Sequence, residues 1–306
     1  MMAVDYRMTG EQLTAFQQRL ERHLAFSLTE ACPFRCAHCI VSTVMPGDAV
    51  RFTLPANDAR RFAAQMADLR ACGIDRISFT GGEPLLVPEI LSILSAGAAA
   101  AGIECTVVTA CHWAATEQAA KRTLQRFPHI RHWHLSADTF HQAFLPLESV
   151  VRAARAAIEE DRSVLVRMAA RWPATNEDLD FHERLRRALP ADVAVAVQQV
   201  NVSGRAEQLG ILPAATGSRR QCSPCMSTGL VVRHDGTVSP CCSSLIDQRE
   251  GHPFQYAPAT AAGLAATYQA WRSDALLQLI RCIGFDPILT WVRETHPSRR
   301  VLQRTP

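Results

Sequence analysis

Along most of the chain, short apolar runs alternate with stretches whose apolar residues recur every three or four positions. The runs read as strands over residues 24–28, 76–80, 103–109, 132–136, 164–169 and 193–200. Helical patterns fall between them, at 56–71, 88–100, 116–126, 149–160 and 176–189. Another amphipathic segment, 11–23, precedes the first strand. Repeated strand–helix units imply an α/β fold with a parallel sheet and right-handed crossovers. Periodicity alone does not separate a barrel from an open doubly wound sheet. In both, ligands gather at the carboxyl ends of the strands.

The pattern weakens over 202–221, which is loop-rich. Beyond it, apolar residues flank His234-Asp235-Gly236, the signal of a β-hairpin, and helical patterns follow at 260–272 and 273–283. Four segments are expected: a helical extension over 1–23, a strand–helix domain over 24–203, a small hairpin-plus-helices module over 204–294, and a tail over 295–306.

Composition narrows the class. The 306 residues suffice for one large core with a small appended domain. Hydrophobic residues make up 48% and charged residues 20%, ordinary for a globular protein. The net charge of +3, with no basic block, gives no reason to expect nucleic acid or an anionic membrane. The chain opens without an apolar signal region, and no run approaches about 18 apolar residues. A cytoplasmic location is therefore expected, where eleven cysteines read as metal ligands rather than disulfides.

The densest chemistry is Cys32-Pro-Phe-Arg-Cys36-Ala-His38-Cys39, just after the first strand. Three thiolates so close can hold three irons of a four-iron cluster and leave the fourth iron open. A zinc site is the alternative, but zinc ligands usually come as paired knuckles, and His38 is poorly placed to share a metal with adjacent Cys39. A second motif, Thr80-Gly81-Gly82-Glu83-Pro84, follows the second strand. Its glycines allow close backbone approach to a ligand, and Glu83 offers a carboxylate to an ammonium. Read alone, it is an ordinary strand-to-helix turn.

Together the two motifs resemble the signature of the radical S-adenosylmethionine (SAM) superfamily. The resemblance implies a partial (βα)6 barrel and a [4Fe-4S] cluster on Cys32, Cys36 and Cys39. It also implies that Gly81, Gly82 and Glu83 receive the methionine amine of SAM. Ser136 and Asp138, at the end of the fourth strand, resemble an element lying beside the SAM ribose or the substrate, although Asp138 also reads as a helix N-cap. Arg167 is a candidate partner for the SAM carboxylate, in competition with Arg171. His132, His134 and His141 read as hydrogen-bonded structural histidines.

Cys222, Cys225, Cys241 and Cys242, with Cys282 downstream, form a second constellation. It resembles the opening of SPASM/twitch modules, which bind auxiliary iron–sulfur clusters, and Gly204-Arg205-Ala206 often stands before such modules. A second [4Fe-4S] cluster is implied on Cys222, Cys225, Cys241 and either Cys242 or Cys282; a structural zinc knuckle is the alternative. Whichever of Cys242 and Cys282 is not a ligand becomes a candidate hydrogen-atom donor. Cys72, Cys105 and Cys111 read as small buried hydrophobes. The activity implied is reductive cleavage of SAM, fed by a flavodoxin or ferredoxin, to a 5′-deoxyadenosyl radical that takes a hydrogen from substrate. A ribosomally made peptide is the favoured substrate, undergoing epimerisation, crosslinking or oxidation; an aminoglycoside-like small molecule is the alternative. A non-catalytic iron–sulfur or zinc protein would explain the cysteines but not the Gly-Gly-Glu turn.

Overall fold

The computed structural model describes residues 9–19, 22–41, 43–201, 203–210, 229–240, 259–284, 290–291 and 294–295. The chain alternates as expected: α1 (Gly10–Arg19), β1 (His23–Ser27), α2 (Ala56–Ala64), α3 (Met66–Ala71), β2 (Arg76–Thr80), α4 (Pro88–Ala100) and β3 (Glu104–Thr109). It continues through α5 (Glu117–Arg126), β4 (Ile130–Ser136), α6 (Leu147–Glu159), β5 (Ser163–Ala170), α7 (Asn176–Ala188) and β6 (Ala194–Gln199). The helix expected over 56–71 is broken at Gln65, whose side-chain carbonyl accepts a hydrogen bond from the Leu264 amide at 2.7 Å.

β1 to β6 pair in sequence order, all parallel. Along β2 and most of β4 the residues alternate in environment, as the two-residue period requires. Leu24, Phe26, Ile77, Phe79, Val107, Trp133 and Leu135 are buried in the core with Phe62, Leu91, Leu94 and Leu124 of the helices. On the opposite face His23, Ser27, Ser78, Thr80, His134 and Ser136 stay partly exposed. A barrel interior is usually filled by branched apolar side chains. Here the face away from the helices mixes these polar residues with apolar ones such as Ala25, Val108 and Leu165.

One expectation is corrected. The hairpin assigned to a separate module does not stand apart: β7 (Gly229–Val232) lies parallel to β1, with His23 opposite Gly229 and Phe26 opposite Val232. β8 (Val238–Ser239) then pairs antiparallel with β7, giving an eight-stranded sheet. β1 is thus an interior strand. α8 (Ala259–Ala262), α9 (Leu264–Ser273) and α10 (Ala275–Ile283) close the described chain, with α9 against α3 and α10 against α1. Among the described residues no helix is long and apolar enough to cross a membrane.

Candidate active site

The cysteine-bearing segment, described over residues 32–41, leaves a clasp formed by the extension of β1. The Cys32 amide donates to the Val44 carbonyl and the Val44 amide to the Glu30 carbonyl, both at 2.9 Å. The same extension receives the turn after β2: Gly82 N–H donates to the Thr29 carbonyl and Glu83 N–H to the Ala31 carbonyl at 2.7 Å. This contact sets the glycines. Gly81 has φ of 137°, and a Cβ there would stand 2.4 Å from the Thr29 oxygen. A Cβ on Gly82 would stand 2.1 Å from the Ala31 oxygen. The close approach that the glycines permit is therefore to the chain's own backbone, immediately before Cys32.

A cavity of about 270 Å³ opens at the carboxyl ends of the strands. Cys32, Cys36, Cys39, Gly81, Gly82, Glu83, Ser136, Asp138 and Arg167 all line it. Every residue assigned to the SAM site by resemblance thus meets in one place. Glu83 is buried, and three donors occupy its carboxylate: the Leu85 amide at 3.1 Å, the Thr109 hydroxyl at 2.9 Å and the Ala110 amide at 2.9 Å. About one of its four acceptor positions stays open. Asp138 is equally committed, accepting from the Phe140 and His141 amides at 3.1 and 3.0 Å and from His141 Nδ1 at 2.8 Å. Asp138 thus caps a turn and not the helix N-terminus expected of it, since the next helix, α6, begins at Leu147 with Pro146 as its N-cap.

The histidines divide by environment. Burial works to lower the pKa of His141, but the charge and hydrogen bond of Asp138, with a bond to Cys36, raise it to about 10. His38 is pushed down to about 4 by burial, against the pull of Asp138, and stacks on Phe140 at 4.6 Å. The ligand atoms of Cys36, His38 and His141 lie within 4.8 Å of one another. His134 is also lowered to about 4, chiefly by burial and then by Arg167, while His132 lies 3.4 Å from Glu104.

Cys32 is pushed up to about 12, mainly by burial, although its sulfur accepts a 3.4 Å bond from the Phe34 amide. A thiol so held stays protonated until a cation draws the proton off. That bond, the shared cavity and three soft donors fit an iron–sulfur cluster. Arg171 is not free for a ligand: it pairs with buried Asp178 at 3.0 Å and lies over the Phe140 ring. Arg167 contacts Gln198 at 2.9 Å and faces the cavity. Thr109 bears on the site and carried no signal in sequence, and Arg205 stood out there only within Gly204-Arg205-Ala206, with no link to the cysteine loop. Their targets lie far away along the chain.

Residues 26–147 match the family described as the Radical SAM superfamily. This stretch is a radical SAM domain. Within it, Cys105 and Cys111 are buried and their thiols pushed up by burial, as small core residues should be. The chain is 37% identical over 98 residues to GTP 3′,8-cyclase of Stenotrophomonas maltophilia (strain R551-3), covering 32% of this chain and 29% of that protein. Against GTP 3′,8-cyclase of Tolumonas auensis the identity is 36% over 87 residues, or 28% and 25% of the two chains. The chain thus matches less than a third of these relatives' length. Among solved structures, BtrN in complex with AdoMet and 2-DOIA aligns over 86% of this chain and 87% of that one, at 12% identity and a TM-score of 0.43.

Cys222, Cys225, Cys241 and Cys242 lie outside the described residues. Cys282 is described, as a half-buried free thiol on α10, and it is not among the residues lining the cavity.

Proposed function

We propose that this protein is a radical SAM enzyme, with Cys32, Cys36 and Cys39 holding a [4Fe-4S] cluster and the Gly81–Glu83 turn seating the methionine end of SAM. The observation that carries the reading is the convergence of all three thiols and that turn on one cavity. The bound cluster and SAM supply the radical chemistry, a reductive cleavage that yields methionine and a 5′-deoxyadenosyl radical. The chain's own residues bind and orient. Glu83 fixes the turn after β2 to the end of β3, and Asp138 fixes the turn after β4. Arg167, at the cavity wall, suits the SAM carboxylate, which a guanidinium fork matches.

A second cluster on Cys222, Cys225, Cys241 and either Cys242 or Cys282 is part of the proposal, as is electron supply by a flavodoxin or ferredoxin. For substrate, β6 supports a peptide. It is an edge of the sheet among the described residues, its side chains are exposed, and Gln198, Gln199 and Asn201 reach the cavity. An extended peptide added along that edge presents alternate side chains to the cavity mouth. The same polar groups would also bind an aminoglycoside-like sugar, so the two substrates are tested side by side.

Anaerobic reconstitution with iron and sulfide, followed by SAM and a reductant, should release 5′-deoxyadenosine. Replacing Cys32, Cys36 and Cys39 by alanine should abolish that release and leave about half the iron and the second chromophore. Full iron loading without 5′-deoxyadenosine sinks the enzyme reading; loss of all iron in the triple variant sinks the second cluster. Deuterium transfer from a labelled precursor peptide, and not from a labelled amino sugar, into 5′-deoxyadenosine decides the substrate.

A further inference from the structure

Arg205 is distant from the cysteine loop in sequence and pressed against it in space. Its backbone N–H donates to the Cys39 carbonyl at 3.0 Å. The side-chain Nε donates to the Cys36 carbonyl at 3.1 Å. One terminal nitrogen donates to the Thr43 carbonyl at 3.1 Å and the other to the Thr43 hydroxyl at 2.9 Å. A single residue therefore ties the middle of the loop to its return stem, across sequence separations of 169 and 162 residues. The planar fork of a guanidinium makes such a tie possible, whereas a lysine offers only a point charge.

The neighbouring residues are shaped for this contact. Gly204 has φ of 60°, and a Cβ there would stand 2.8 Å from both the Cys39 and Ile40 oxygens. Ala206 is fully buried. Arg205 itself is half-buried and lines the cavity with the three thiols, where a charge is screened less than in water.

We infer that Arg205 is a positioning residue that locks the cysteine loop, and that its charge favours the electron-rich state of the iron–sulfur group held there. The inference rests on the triplet's assignment as a cluster site. A positive charge beside a redox centre stabilises its reduced form, so deleting the charge shifts the midpoint potential negative. R205K keeps the charge and loses the fork, while R205Q loses both, which separates the two roles.

The test uses the full chain as wild type, R205K and R205Q. Amide hydrogen exchange over residues 32–43 is measured without metal; the midpoint potential is then followed by EPR-monitored titration after reconstitution. Loop exchange should accelerate about tenfold or more in both variants, the effect of losing roughly one charge-assisted bond. The midpoint should move negative in R205Q and stay near wild type in R205K. Unchanged loop exchange in both variants overturns the positioning role, and an unmoved potential in R205Q overturns the electrostatic one. If the wild type takes up no cluster, the cluster assignment fails, and exchange still decides the lock on the metal-free chain.

Discussion

Glu83 reaches the cavity with its carboxylate already bonded to Leu85, Thr109 and Ala110. Glu83→Gln turns one acceptor oxygen into a donor that faces an existing donor. That mismatch should cost about 1–3 kcal/mol in denaturant unfolding, besides any loss of SAM cleavage. A sequence shows only the carboxylate and not its commitments, because Thr109 and Ala110 come from the next strand. His23 gives a pH prediction. Burial foremost, with Arg76 beside it and Asp75 opposing, lowers its pKa to about 4, and its Nε2 bonds Ser78 at 2.8 Å. Between about pH 4 and 6.5 the unfolded chain binds a proton here that the folded chain refuses. Stability therefore falls as pH drops through that window, by up to roughly 3 kcal/mol from this group. His23→Gln should flatten the slope of unfolding midpoint against pH between 4 and 6.5; an unaltered slope would count against the assignment.

The turn between β2 and α4 is laced to the extension of β1, and this lacing is what its glycines serve. Gly82→Ala should destabilise the metal-free protein by about 2 kcal/mol or more, because backbone must move to admit the methyl. A thermal midpoint equal to wild type would show that the lacing is dispensable. The elements themselves were largely legible. Each strand from β1 to β5 carries buried apolar residues, such as Ile77 and Phe79 in β2, and such runs need no distant partner to be read. The cysteine triplet and Gly-Gly-Glu were legible for the same reason, as compact local spacings. What escaped depended on distant partners. The break at Gln65 serves an amide 199 residues away, and the parallel pairing of β7 with β1 leaves no mark on a segment whose own signal is a hairpin.

At the scale of the molecule, the β7–β8 hairpin belongs to the main sheet. β7 covers the edge of β1, and Arg233 from its far end pairs with buried Glu30 at 2.9 Å, two residues before Cys32. A chain ended at residue 203, the boundary that the sequence invites, should expose the β1 edge and lose cooperative unfolding. Recovery of a soluble fragment with a single sharp transition would contradict this. These long reaches also set an order in time. Cys36 leaves the ribosome 169 residues before Arg205, and Glu30 leaves 203 residues before Arg233. At roughly 5–20 residues per second, the nascent loop waits about ten to forty seconds for its locks. During synthesis the cysteines stand on an unfastened loop, so iron and sulfide delivered then meet open thiols; delivered later, they must first loosen a closed one.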